Sequence, residues 1–138
     1  MSDTMTNDNS SDQNAPAAKP SVTMSRITAA TLITLAAAAV SHLEGTEEGT
    51  PSRRTQMPAF EKSFNDLASC AERNRQSDPE VSKIMDRLVG TYRHYMKAHE
   101  QAEKLVKGDQ DAFKAACAAG DKALEQLDAD MSWALTSF

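Results

Sequence analysis

The feature of this sequence that most limits its fold is a pair of long helical patterns separated by a very short connection. The first pattern begins at "QSDPE", where Asp78 can cap a helix, Pro79 fits its first position and Glu80 suits the positive end of its dipole. It continues to about residue 107, where Gly108 ends it, and Asp109 is suited to cap a second helix that runs to about residue 135. Two helices of matched length with so short a connection predict an antiparallel helical hairpin.

The composition extends this prediction to the whole fold. Aromatic residues make up only 5% of the chain and there are five glycines, whereas strong helix formers such as Ala, Glu, Lys and Leu are plentiful. A length of 138 residues suits one domain rather than two. These observations favour an all-α domain over a β protein.

Two further helices are predicted before the hairpin. The run from Ile27 to Val40 is fourteen residues long, shorter than the roughly twenty residues of a membrane span, so it indicates a core helix over residues 25–43 capped by Ser25. Glycines, a proline and alternating charges over residues 44–56 predict a loop. An apolar stripe that includes Phe60 and Phe64 then predicts a helix over residues 57–75.

The first residues of the chain differ in composition from the rest. Ser, Asp, Asn, Thr and Pro dominate residues 1–24 and no apolar periodicity occurs there, which is typical of a disordered arm. The expected architecture is therefore a disordered N-terminal arm and one small all-α bundle domain over residues 25–138. Its four helices are expected at about 25–43, 57–75, 79–107 and 109–135, the last two forming the long antiparallel C-terminal hairpin.

Charge argues against general nucleic-acid binding. The formal net charge is −5 and the isoelectric point is about 5.1, whereas nucleic-acid-binding domains are usually basic. The charge is unevenly distributed, because residues 51–107 carry eleven cations and eight acids while both flanking segments are acidic. We expect the basic middle to pack against the acidic ends. The basic pairs Arg53–Arg54 and Arg73/Arg75 leave contact with nucleic acid as an alternative.

The stretch "RHYMKAHEQAEK", residues 93–104, resembles a reactive cluster in composition but not in geometry. At 100° per residue, His99 lies within the apolar stripe of its helix and His94 lies almost opposite, so the two cannot share a ligand. Only Glu103 is placed to join His99. One histidine and one carboxylate do not make a metal site. We therefore expect His99 to be a partly buried, hydrogen-bonded histidine, with a pH-sensitive contact as an alternative.

Other catalytic and cofactor motifs are missing from the sequence. It contains no phosphate-binding loop, no Gly-x-Ser-x-Gly turn and no His-Glu-x-x-His pair, so we predict no enzyme activity, metal or cofactor. Cys70 and Cys117 are too few for a disulfide scaffold and wrongly spaced for zinc. We expect reduced thiols in a cytoplasmic protein, with one disulfide between helices as the alternative.

These exclusions favour a non-enzymatic helical interaction or assembly protein that acts through protein–protein contacts, with a partner or by self-association, and that has no membrane span. Trp133 lies off the apolar stripe of its helix, and interfaces are enriched in tryptophan. The other candidates for partner contact fit equally well in a core. The candidate contact residues are Leu32, Leu35, Tyr92, Tyr95, Leu124, Leu127, Met131 and Trp133.

Two alternative functions remain open at the level of sequence. If translation began at Met24, the following apolar run would resemble a signal peptide, and the product would be an exported helical bundle that binds a small ligand or a partner. The second alternative is an accessory protein associated with nucleic acid, whose binding would depend steeply on salt concentration.

Overall fold

Four helices account for the fold. The computed structural model describes residues 23–138, and no strand occurs in that range. The helices are α1 (Met24–Glu44), α2 (Pro51–Arg73), α3 (Pro79–Leu105) and α4 (Gln110–Thr136). The all-α prediction and the C-terminal hairpin are confirmed. The arm expected over residues 1–24 lies outside the described residues except for its last two, of which Thr23 caps α1 and Met24 begins it.

The helices form an antiparallel bundle in chain order. α1 and α3 each pack against both α2 and α4, so that α1 lies diagonally across from α3, and α2 from α4. Residues 45–50 and 106–109 connect the helices at one end of the bundle, which we call the loop end. The turn between α2 and α3 lies at the opposite end, together with the start of α1 and the end of α4.

Side-chain caps set three of the helix starts close to the predicted positions. The Asp78 carboxylate accepts the backbone N–H of Val81 at 3.4 Å and Pro79 follows as the first residue of α3. The Asp109 carboxylate accepts the N–H groups of Asp111 and Ala112 at 2.8 and 3.1 Å. α1 begins two residues before the predicted start, because Thr23 rather than Ser25 is the cap.

The start of α2 differs from the prediction. Thr50 accepts the backbone N–H of Arg53 at 3.3 Å, and Pro51 occupies the first helical position, so α2 begins six residues before the predicted Met57. A capping side chain followed by proline begins α2 in the same way as α3. Residues 51–56, expected in a loop, are therefore the first turns of a helix.

An aromatic group fills the space between α2 and α3. Phe60 and Phe64 are buried and their ring centroids are 5.1 Å apart, while Tyr92 stacks on Phe64 at 4.7 Å and Tyr95 meets Phe60 edge-on at 5.5 Å. Burying one such side chain stabilises a fold by about 2 kcal/mol. This group fixes the spacing of α2 and α3 and so positions the polar residues beside it.

α1 is a core helix with a distinctive composition. Its side chains Ala29, Ile33, Ala36, Val40 and Leu43 are fully buried. The helix is also long and apolar enough to cross a membrane by length and composition, with a mean hydropathy of 1.4 over an 18-residue window of which 33% is buried. Length and composition are shared by core helices and membrane spans, and here one side of α1 packs into the bundle while the other is exposed.

Candidate functional site

A buried cluster of polar groups lies near the loop end of the bundle. Glu48 projects from the α1–α2 loop into the interior, where its side chain is 1% exposed. Its carboxylate accepts hydrogen bonds from the Arg53 guanidinium and from the Tyr95 hydroxyl, the latter at 2.7 Å. The His99 Nδ1 lies 3.1 Å from both carboxylate oxygens. We call these four residues the Glu48 cluster.

Arg53 connects this cluster to the loop. Its Nε donates to the Thr46 Oγ1 at 2.6 Å, one terminal nitrogen donates to the Thr46 carbonyl at 2.7 Å, and the other donates to the Tyr95 hydroxyl at 2.9 Å. The side chain is 1% exposed. Arg53 therefore lies in α2 and not in the loop predicted over residues 44–56, and its guanidinium is enclosed by these hydrogen bonds and by the pair with Glu48.

Two glycines allow the loop to approach the bundle so closely. A Cβ atom on Gly120 of α4 would lie 3.3 Å from the Glu48 Oε2. Gly49 has a φ of +79°, and a Cβ there would lie 2.5 Å from the Phe113 ring. Gly120 therefore makes room for the Glu48 carboxylate.

The cluster shifts the pKa values of its members in opposite directions. Burial alone would raise the pKa of Glu48, but hydrogen bonds from His99 and Tyr95 and the charges of His99 and Arg53 hold it below its usual value. The hydrogen bond with Glu48 raises the pKa of His99, against the effect of burial. Burial, followed by the bond to Glu48, raises the pKa of Tyr95, which keeps its hydroxyl a donor. The placement predicted for His99 is confirmed.

Glu103 completes the surroundings of His99. Its Oε1 accepts a hydrogen bond from the Arg54 Nε at 2.7 Å, whereas its Oε2 is buried without a partner among the described residues. The Glu103 charge further raises the pKa of His99. The relation between His99 and Glu103 that the helical spacing predicted is therefore electrostatic in the structure.

An acidic recess borders the cluster on its outer side. Glu44, Glu47, Asp121 and Glu125 line a groove of about 320 Å³ beside Arg53. Burial and the neighbouring carboxylates raise the pKa values of Glu44 and Asp121. Over residues 23–138, no three His, Cys, Asp or Glu side chains are grouped so that they could hold a metal ion.

Cys117 lies in a second groove, of about 380 Å³, lined also by Glu47, Glu48 and Phe113. Burial, followed by the charges of Glu48 and Asp121, raises the pKa of the Cys117 thiol, which makes it a poor nucleophile at neutral pH. Neither Cys117 nor the fully buried Cys70 forms a disulfide in the structure.

The residues predicted for partner contact fall into three groups by exposure. Tyr95, Leu124, Leu127 and Met131 are buried in the core, whereas Leu32 and Tyr92 are half-buried against it. Leu35 is 58% exposed and Trp133 is 37% exposed. Only these two of the eight residues are exposed, and they lie on different helices.

Leu35 belongs to an uncharged surface on α1. No Asp, Glu, Lys or Arg occurs between Arg26 and Glu44, so the exposed side of this stretch carries apolar and small polar groups, followed by His42 near the end of the helix. It borders a groove of about 320 Å³ between α1 and α2, in which Lys62 and Asp66 pair with each other at 2.9 Å. We call the exposed residues between Arg26 and His42 the α1 face: Ile27, Thr28, Thr31, Thr34, Leu35, Ala38 and Ser41.

Trp133 lies at the opposite end of the bundle from the Glu48 cluster. The Arg87 guanidinium of α3 lies 3.9 Å over its ring, a cation–π contact. Arg87 also pairs with the buried Asp130 at 3.2 Å, and Asp130 accepts a further bond from Thr91 at 2.6 Å. Asp130 is the buried aspartate of α4, whereas Asp111, Asp121 and Asp128 are exposed. A contact with α3 thus explains the position of Trp133.

Comparison with known proteins identifies no relative. No protein-family model matches the chain, no similar curated protein was found, and no solved structure resembles it significantly. The function has to be argued from the Glu48 cluster, the α1 face and the charges around them.

Proposed function

We propose that this chain is a non-enzymatic helical assembly protein that pairs with a second copy of itself through the α1 face. The observation that carries the proposal is that the exposed side of α1 carries no Asp, Glu, Lys or Arg over the seventeen residues between Arg26 and Glu44. The solvated side of a bundle helix normally carries charged residues. On α3, for comparison, the exposed positions include Lys83, Asp86, Arg93, Lys97 and Glu100.

The charge distribution favours a second copy of the chain as the partner that covers the α1 face. The chain has a formal net charge of −5, so two copies that approach through most other surfaces bring acidic groups together. The α1 face brings no like charges together when it meets itself, and the nearby Lys62 and Asp66 neutralise each other. Electrostatic repulsion between two copies is therefore weakest when they meet through this surface.

The shape of the face also fits a second copy. Thr28, Thr31, Leu35 and Ala38 follow one another at alternating steps of three and four residues, the spacing of a helix–helix seam. α1 is about 31 Å long, and its exposed side continues along a groove into the adjoining side of α2. A two-fold axis across the middle of α1 would pair the helices antiparallel and bring the two Leu35 side chains together.

Other features favour this proposal over a nucleic-acid-associated protein and over an exported helical bundle. Three of the four arginines considered for nucleic acid are engaged within the protein, because Arg53 is enclosed, Arg54 pairs with Glu103 and Arg75 pairs with Asp86. An exported form whose signal peptide were removed near His42 would lose four of the five buried side chains of α1, namely Ala29, Ile33, Ala36 and Val40. The unpaired cysteines suit a reducing compartment such as the cytoplasm.

The test is the mass in solution of the wild type and of Leu35→Lys, measured by light scattering over a range of concentrations. We expect a dimer for the wild type and a dissociation constant at least about 100-fold weaker for the variant, because an unpaired ammonium would lie in an apolar seam. Leu135→Lys is the matched control, since Leu135 is 39% exposed on α4. It should dimerise as the wild type does.

Thermal unfolding of the monomeric forms shows whether Leu35→Lys weakens dimerisation directly or only because the variant folds less stably. Leu35 is mostly exposed, so Leu35→Lys should unfold within a few degrees of Leu135→Lys. A wild-type protein that stays monomeric up to about 100 μM, or a control variant that dissociates as readily as Leu35→Lys, would overturn the proposal.

A further inference from the structure

The α1–α2 loop is attached to the bundle interior mainly by ionised and hydrogen-bonded groups. Glu48 is the loop side chain that reaches α3, through Tyr95 and His99. Arg53 holds the loop from α2 by its two bonds to Thr46. Gly49 adds a close approach to Phe113 of α4. The loop would therefore be sensitive to any change in charge at the contact between Glu48 and His99.

His99 is the member of this cluster whose charge changes near neutral pH. The titratable and charged groups around the contact between Glu48 and His99 come from every neighbouring element: Glu48 itself from the loop, Arg53 from α2, Tyr95 and Glu103 from α3, and Cys117 and Asp121 from α4. Arg54 of α2 pairs with Glu103, so Arg53 and protonated His99 are the two cations that face the Glu48 carboxylate. Loss of the His99 proton removes one of these two cations from a buried carboxylate.

We propose that the contact between Glu48 and His99 is a proton-controlled latch that holds the α1–α2 loop against α3 and α4. With His99 protonated, the latch is an ion pair with a charge-assisted hydrogen bond. When His99 loses its proton, Glu48 keeps Arg53 and Tyr95 but loses its only link to a charge on α3. The loop then lifts more often, and the groove that contains Cys117 opens beneath it. This device is independent of pairing through the α1 face.

The latch is tested by amide hydrogen exchange at the loop together with an NMR titration of His99. The reporters are the N–H groups of Gly45 and Thr46, which donate to the carbonyls of His42 and Leu43 at 3.2 and 2.9 Å. After correction for intrinsic exchange, we expect the opening of these groups in the wild type to increase between about pH 5.5 and pH 8.5. The increase should be about tenfold for each unit by which closure raises the pKa of His99.

Two variants control the experiment. His99→Asn keeps a donor near the position of Nδ1 but does not titrate, so its loop opening should not vary with pH. His94→Asn makes the same substitution on the exposed side of α3 and should behave as the wild type does. A second reporter is the alkylation rate of Cys117 in the wild type relative to His99→Asn, which cancels the intrinsic pH dependence of the thiol; the ratio should rise with pH.

The wild-type data decide the question even if His99→Asn does not fold. The midpoint of loop opening must coincide with the midpoint of the His99 imidazole titration, and both must lie above the ordinary histidine value of about 6.5. Loop opening that does not depend on pH, or a pH dependence that His94→Asn also abolishes, would overturn the latch. Neither result bears on dimerisation, which the Leu35→Lys experiment measures separately.

Discussion

Glu48 illustrates how a carboxylate can be buried without destabilising a fold. Taking a charge out of water costs several kcal/mol unless it is paired and its lone pairs are satisfied. Here the Arg53 guanidinium, the Tyr95 hydroxyl and the His99 ring all meet the same carboxylate. Each partner comes from α2 or α3, so the position of Glu48 depends on the relative placement of two helices and a loop.

A pair of glycine substitutions tests how firmly Glu48 is held. Gly90 of α3 has open space where a Cβ would be added, so Gly90→Ala should stabilise the protein by about 0.5–1 kcal/mol through helix propensity. Gly120→Ala makes the same change but places its Cβ 3.3 Å from the Glu48 Oε2. Because Glu48 is held by three partners, we expect a net loss of about 1 kcal/mol in urea unfolding. A gain equal to that of Gly90→Ala would show that Glu48 moves aside freely.

Stability should also depend on pH through the opposite shifts of Glu48 and His99. The pKa of His99 is raised on folding, so its contribution is complete below the unfolded value of about 6.5 and is lost as pH rises through the folded pKa. The pKa of Glu48 is lowered from 4.5, so its contribution is present above 4.5 and is lost as pH falls through the folded pKa.

These two groups therefore contribute most between about pH 4.5 and pH 6.5. The measurement is the difference in unfolding free energy between the wild type and His99→Asn across the pH range, which removes the contributions of all other groups. We expect this difference to be largest in that window and to shrink on the alkaline side. A difference that grows above neutral pH would contradict the direction of the His99 shift.

At the level of elements, the fold was more predictable than the cluster, and α2 shows why. Asp78 and Pro79 revealed the start of α3, and Thr50 and Pro51 provide the same kind of signal for α2. Had α2 been extended to Pro51, Arg53 would have joined its buried stripe, four residues before Met57. The burial of Arg53 could therefore have been predicted from the sequence.

The burial of Glu48 could not have been predicted in the same way. It lies in a loop, where neither a helical nor a strand period assigns a direction to the side chain. Its burial depends on Gly120, far along the chain, leaving room on α4. His99, in contrast, was correctly placed because its burial follows from the period of its own helix. The parts of the site set by a single element were predictable, and the part set by three elements was not.

The cap of α2 can be tested directly. Thr50→Ala removes the oxygen that accepts the Arg53 N–H, so we expect a loss of about 1 kcal/mol in chemical unfolding. Because Arg53 lies in the first turn, this loss should be accompanied by faster hydrogen exchange at Thr46, which Arg53 contacts. Ser52→Ala changes an exposed residue of the same turn and serves as the control. Equal effects of the two substitutions would argue against Thr50 as the cap.

At the level of the whole molecule, charge segregation explains part of the packing. Cations of the basic middle segment meet acids of the flanking segments at Arg53–Glu48, His99–Glu48 and Arg87–Asp130. The two contacts of Glu48 lie at the loop end, and Arg87–Asp130 lies near the opposite end. Arg26 of the first segment pairs in the reverse sense, with Asp78 and Glu80 of the middle segment, also near the end opposite the loop end. The remaining pairs described, such as Arg54–Glu103, lie within the middle segment. Attraction between the segments thus acts at both ends of the bundle and leaves the α1 face uncharged.

The orientation of the proposed dimer gives the last prediction. In an antiparallel pair with its two-fold axis near the middle of α1, only residues near the axis meet their own counterparts. Leu35→Cys should therefore form a disulfide between copies, in a Cys117→Ser background in which the buried Cys70 is retained. Thr28→Cys places a thiol on the same face two turns away and should not cross-link.

Non-reducing electrophoresis after mild oxidation reads the result, and the pattern of the two variants distinguishes the orientations. Cross-linking of Leu35→Cys alone supports the antiparallel pair, because a disulfide needs Cα atoms within about 7 Å of each other. Cross-linking of both variants would indicate parallel helices, since every position on a parallel seam meets its own counterpart. Cross-linking of neither, in a protein shown to be dimeric, would place the interface away from α1.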